Sequence, residues 1–232
     1  MKRNTKQLIP MTLVFTIIAA GYSCRMLAML DICGVYVNYI RAALYLLLFS
    51  LWGYSLDRRI IQPQTLHWLR LTAALMLLWL ILRTLKYEFV TDLTVARYIW
   101  YLYYLPMLFI PLLGVYIALS LGKSEKFRLT GRIGALAIIP AVLFLLVITN
   151  DLHQQMFAFS SGVPGEPDNY SYSYGPVYFC YLGWTVTCMI FSLALLLKKS
   201  RVPSGSEKRI RPFVIACITV LYGLLYLSGL PA

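Results

Sequence analysis

Near residue 150 an apolar run gives way to polarity: Val147 and Ile148 are followed by Thr149, Asn150, Asp151, Leu152, His153, Gln154 and Gln155, and then by Met156 and Phe157. His153 is one of only two histidines in the chain. A carboxylate and an imidazole two residues apart could form an acid/base pair. No nucleophile or metal set accompanies them, and GxSxG, HExxH, P-loop, GxGxxG and paired intramembrane aspartate patterns are all absent, so no catalytic residue is assigned. Ligand binding fits these residues better. Asn150 and His153 are three apart, and Thr149 and His153 four apart, which on a helix places them on one face. Asp151 would point about 100° away if the helix continues. If the helix ends there, Asn150 or Asp151 caps it or forms a turn, and both readings stay open.

Composition says what must position these residues. The 232-residue chain is 60% hydrophobic and 13% charged, where soluble domains are about half apolar and a quarter charged. It reads as an integral membrane protein with the lipid bilayer as its first partner. A net charge of +12 would suggest nucleic acid in a soluble chain, but here the basic residues cluster between apolar runs, where they orient helices. Nucleic-acid binding is discounted. Cys24, Cys33, Cys180, Cys188 and Cys217 show no CxxC or Cys/His metal spacing, so neither a metal site nor a cofactor is expected.

Spanning a bilayer takes about 20 apolar residues of helix. About seven stretches come near that, at 8–29, 36–56, 68–87, 98–121, 132–152, 175–197 and 212–230. The expected fold is therefore all-α: a polytopic helical bundle forming one membrane domain over 1–232. The first stretch has the basic start and apolar core of a signal peptide without a clear cleavage site, and reads as an uncleaved helix. The third is the least secure, since Arg70 and Arg83 must snorkel from its short core. With the N-terminus cytoplasmic, 16 Lys and Arg fall inside and 5 outside (Arg25, Arg41, Arg83, Lys86 and Arg97). That bias sets the orientation of a multi-pass membrane protein. Pro106 and Pro111 in the fourth stretch and Pro140 in the fifth each remove a backbone donor and should shape the bundle.

This topology brings three helix ends to one outer rim: Arg97 to Pro106, Tyr170 to Trp184, and the Asn150 segment. Their tyrosines and tryptophans read either as an interfacial aromatic belt or as the lining of an outward-facing pocket. Trp100, Tyr104, Tyr174 and Tyr178 join Asn150, Asp151 and His153 as candidate ligand-binding residues. Arg25 and Arg83, with Lys86, are candidates to pair with Asp31, Glu88 or Asp151, or else to anchor at the interface.

Arg97 to Lys123, Ile139 to Phe157 and Tyr174 to Ser200 together resemble the N-terminal seven-helix sensor region of bacterial histidine kinases. The carriers are an aromatic helix start with an LP…PLL pattern, a threonine-asparagine-x-x-histidine motif (Thr149, Asn150 and His153) and a Gly-Pro opening (Gly175 and Pro176). Arg25 to Asp31, Ser50 to Gln62 and Trp100 to Leu113 are also similar to membrane proteins of gut Firmicutes. The resemblance implies a sensor of an extracytoplasmic or lipid-borne signal in a two-component system. Its ligand would be a small molecule or lipid, with a kinase or other cytoplasmic output domain as partner; a homodimer is left open. The kinase module is absent, so no enzyme activity is assigned. Stretches two to seven line up with the family's first six helices, so the chain reads as one extra N-terminal helix plus a bundle that stops before the last crossing. The alternatives are a small transporter, which would need a polar midplane path, and a structural membrane subunit.

Overall fold

A helix exposed to hydrocarbon must satisfy every backbone group internally, and proline decides where the helices of this chain fail to do so. The computed structural model describes residues 16–17, 19–24, 27, 34–59, 63–121, 123, 129, 131–159 and 172–200. Its helices are α1 (Gly34–Arg59), α2 (Pro63–Thr84), α3 (Leu93–Leu102), α4 (Tyr104–Ser120), α5 (Gly131–Gly134), α6 (Ile138–Ile148), α7 (Asn150–His153) and α8 (Pro176–Ser200). A π-helical turn, Leu85–Phe89, continues α2, and a 3-10 turn, Ala135–Ala137, joins α5 to α6. The chain is an all-α membrane bundle. Four described helical runs are long and apolar enough to cross a bilayer: Tyr36–Leu56, Pro63–Phe89, Leu93–Ser120 and Pro176–Lys198. The described part of the first expected stretch is helical at 16–17, 19–24 and 27; the seventh, at 212–230, lies outside the described residues.

Several expected boundaries change. The third stretch is longer than 68–87, because Pro63 starts it, as proline can at a first helical position, and the π turn carries it to Phe89. The fourth begins at Leu93 rather than 98, where the Asp92 carboxylate caps it by accepting from the backbone N–H of Thr94 (2.7 Å) and Val95 (3.0 Å). It then breaks at Tyr103, since Pro106 has no N–H for the carbonyl of Leu102. The fifth is not one helix over 132–152. Pro140 cannot donate to Leu136, the chain tightens into the 3-10 turn at 135–137, and α6 ends at Ile148. The sixth begins at Pro176, and the tyrosines before it form a strand. Tyr172–Tyr174 pairs antiparallel with Phe157–Phe159, with Phe157 opposite Tyr174 and Phe159 opposite Tyr172.

α4 is the centre of the bundle. Half of the most apolar part of the Leu93–Ser120 run, made of α3 and α4, is buried, against 17% or less in the other three described crossing runs, and α4 packs against α2, α6 and α8, while α1 packs on α2. Leu112, Leu113 and Tyr116 form one core cluster with Trp68, Ile133 and Trp184 around them. Trp184 Nε1 donates to the carbonyl of Leu108 (3.2 Å), one residue from the Met107 carbonyl that Pro111 leaves without a helical donor. At the hairpin end a second cluster gathers Tyr101, Tyr104, Leu108, Val147, Met156 and Phe157. Ile138, Leu145, Phe179 and Ile190 face outward, which suits a surface solvated by lipid.

One close approach joins hairpin and bundle. The Gly175 N–H donates to the Met156 carbonyl (3.0 Å) and the Val177 N–H to that of Gln155 (3.1 Å). A Cβ at residue 175 would overlap the Gln155 carbonyl, while one at Gly134 meets nothing within 4 Å. Gly175→Ala is therefore expected to lower the thermal midpoint of the protein in detergent, by more than the ~1 kcal/mol a compatible Gly→Ala change shifts stability. Gly134→Ala should leave it unchanged or raised, and equal midpoints for the two variants would refute the close-approach account.

Candidate functional site

The polar segment after α6 folds into a tight reversal. Thr149 takes φ −88° and ψ 11°, ending α6, and its hydroxyl donates back to the Leu145 carbonyl (2.8 Å). Asn150 opens the single turn α7, which closes at Gln154 in the left-handed region (φ 50°, ψ 30°), a common way to terminate a helix. The chain then turns back across the Asn150 side chain.

Asn150 is fully buried, and its amide uses its whole bonding capacity. Oδ1 accepts from the N–H of Met156 (2.8 Å) and of Phe157 (3.0 Å). Nδ2 donates to the Phe157 carbonyl (3.0 Å) and to the Tyr101 hydroxyl (3.2 Å). That hydroxyl in turn donates to Asp151 Oδ1 (2.8 Å), and Asp151 Oδ2 pairs with Arg97 (3.1 Å). The Arg97 guanidinium also stands 5.5 Å from the Phe159 ring, in the hairpin. A chain of contacts therefore runs Phe157, Asn150, Tyr101, Asp151, Arg97, Phe159 and returns to the hairpin it left. The aromatic rings fill the space around it: Trp100 and Phe157 are 4.3 Å apart, Tyr104 and Tyr181 5.0 Å, Tyr174 and Tyr178 3.9 Å.

A cavity of about 350 Å³ opens beside this chain of contacts. Its walls include Lys86 and Tyr87 from the π turn, Arg97 and Trp100 from α3, and Phe159 and Tyr172 from the hairpin. Arg97 Nε is buried without a hydrogen-bond partner. Lys86 Nζ lies 5.1 Å from the Tyr87 ring and 5.5 Å from Trp100. Two cations within an aromatic frame can hold a small acid with an apolar body.

Of the residues singled out from sequence, Trp100 lines this cavity; Asn150, Asp151, His153, Tyr104, Tyr174 and Tyr178 do not. His153 turns to its own loop: Nε2 lies 3.1 Å from the Leu146 carbonyl and 3.3 Å from Thr149 Oγ1, while Nδ1 accepts from the Gln155 N–H (2.9 Å). These contacts fit the tautomer protonated at Nε2. The partner of Asp151 is Arg97, not Arg83 or Lys86. Arg83 instead stands 5.7 Å from the Trp79 ring, and Arg25 lies outside the described residues. Sequence reading missed Tyr101 and Arg97. Their spacing of four, which places them on one helix face, was the available signal.

These features define a class: a membrane bundle whose polar groups gather at one end, around a clamped hairpin and a small cavity. The chain matches the family model for the N-terminal 7TM region of histidine kinase over residues 40–232, and it belongs to that family. It is a membrane sensor region, of a family without a catalytic domain of its own. No curated protein and no solved structure matches it.

Removing the Asn150 amide would strand two buried N–H groups and a carbonyl. Asn150→Ala is expected to cost on the order of 3 kcal/mol, seen as a lower thermal midpoint in detergent and faster proteolysis of the hairpin. Tyr101→Phe, which leaves the backbone partners of Asn150 in place, should cost less. A stable Asn150→Ala protein with a protected hairpin would show that the clamp does not hold it.

Proposed function

We propose that this chain detects a small molecule or lipid of acidic character at its hairpin end and passes the signal on as a rearrangement of helix packing. The single observation that carries this reading is the position of Asp151. One of its oxygens holds Arg97, in the cavity wall, and the other accepts from Tyr101, which is bonded to Asn150. An acid entering the cavity competes with Asp151 for Arg97. The released carboxylate loosens the clamp on Phe157, and with it the hairpin and Gly175, which leads into α8. A ligand shifts such an equilibrium only by its differential affinity for the two states, and a shared arginine supplies that difference.

In this reading Arg97 and Trp100 touch the ligand, Asn150 and Asp151 transmit its presence, and Tyr104, Tyr174 and Tyr178 keep the hairpin seated. His153 serves by holding the loop after α7. The chain is a single membrane domain lying multi-pass in a bacterial cytoplasmic membrane, with the hairpin outside, as the distribution of Lys and Arg supports. Its output partner is a kinase or comparable cytoplasmic domain, reached directly or through a second copy of the chain.

Thr94 lines the cavity and is exposed, so Thr94→Trp fills the space without removing a core contact. In the native bacterium, a chromosomal Thr94→Trp strain is expected to reproduce the transcriptional profile of a strain lacking the gene, at normal levels of the membrane protein. A wild-type profile for Thr94→Trp would remove the cavity from the mechanism. A gene deletion without effect on transcription or protein-histidine phosphorylation would overturn the sensor reading itself.

A further inference from the structure

Tyr87 stands in the walls of two cavities. The second, of about 450 Å³, lies between α1 and the end of α2, walled by Asn38, Arg41 and Tyr45 on one side and by Arg83, Tyr87 and Glu88 on the other. Neither arginine forms an ion pair with any described residue. Among the described residues Glu88 is the one carboxylate in the wall, so the two guanidinium groups give the site an excess of positive charge. Arg41 lies seven residues into α1, about 10 Å along a helix that rises 1.5 Å per residue. An arginine at such a depth in a membrane helix normally has a partner or marks a functional site.

The lining says what that partner is. A guanidinium presents a planar fork that matches the oxygens of a phosphate, and two forks suit a group with three or four oxygens better than a single carboxylate. The Asn38 amide and the hydroxyls of Tyr45 and Tyr87 supply further polar groups, whereas the Thr84 hydroxyl is spent on the Leu80 carbonyl (2.9 Å). Ala42 and Leu80 complete the wall, offering an apolar surface to whatever carries the phosphate. Arg83 is exposed on the surface of the bundle, which opens the site to the surrounding lipid.

We propose that Arg41 and Arg83 form a phosphate-binding site between α1 and α2, occupied by the headgroup of a phospholipid or by a free phosphate ester. The π turn that bears Tyr87 would then be held from one side by this phosphate while its other side shapes the first cavity. The site does not depend on the sensing role of that cavity.

The full chain in dodecyl maltoside is titrated with phosphatidylglycerol and followed by native mass spectrometry, and in parallel with glycerol 3-phosphate and followed by thermal shift. The wild type is expected to retain the lipid, or to be stabilised by the ester, and the Arg41→Gln/Arg83→Gln variant to bind at least about tenfold more weakly, as loss of charge-assisted bonds implies. A difference confined to the lipid arm identifies a headgroup as the occupant; one confined to the ester arm identifies a free ester. Should the glutamine variant fail to fold, Arg41→Lys/Arg83→Lys keeps both charges and removes the forks, and the same weakening is expected of it. Equal binding by wild type and folded variant in both arms, or no binding by the wild type in either, overturns the proposal.

Discussion

A buried amide with all its hydrogen bonds made holds the hairpin end of this bundle together. Asn150 accepts from the N–H groups of Met156 and Phe157 and donates to the Phe157 carbonyl and to Tyr101. In a low-dielectric interior each of these bonds is strong, and each would be costly to leave unmade. The direction of the chain after α6, the seat of Phe157 among the aromatic rings and the approach of Gly175 to Gln155 all follow from it. Thr149, Asn150 and His153 stand within five residues of one another, and the structure gives each a task within one reversal: ending the helix, clamping the returning strand and holding the loop between them.

The bundle beneath depends on a different constraint. Its apolar helices gain little from packing on one another in a lipid environment, where association rests on close fit and on interhelical hydrogen bonds. Both are concentrated on α4. Its buried face carries Leu108, Leu112, Leu113 and Tyr116; the Tyr116 hydroxyl donates to the Ile133 carbonyl (3.0 Å), and Trp184 donates to that of Leu108 (3.2 Å). The prolines that interrupt the helical ladder thus coincide with places where neighbouring helices reach the backbone or where a tighter turn takes over.

A sensor needs an element that two states can share, and the hairpin end has the parts for one. Asp151 divides its two oxygens between a cavity-wall arginine and the clamp. Charge-assisted bonds of this kind are short and directional, so an acid of the proposed kind would change the balance of a network rather than of a single pair. The π turn at Leu85–Phe89 carries Tyr87 in the walls of both cavities. Such turns are frequent at functional sites.

Membrane character, the all-α bundle and the family were legible in the sequence, because apolar length and charge clustering are local properties that a bilayer reads directly. The approximate places of the four described crossing runs were legible for the same reason, as was the gathering of aromatic helix starts near Asn150, which needs only the alternation of crossing directions. Where helices break was not: Pro106 and Pro140 announce an interruption, but the turn adopted at Tyr103 and at 135–137 depends on what packs alongside. The hairpin was hidden because its strands are three residues each and owe their pairing to the clamp rather than to any alternating pattern. Spacing alone joined Asn150 to His153, yet the reversal at Gln154 sends one amide into the core and leaves the imidazole on its own loop. The partner of Asp151 could be settled only by the tertiary structure, since several cations lie near one level of the membrane and the one that reaches it, Arg97, is brought there by the packing of α3 against α6.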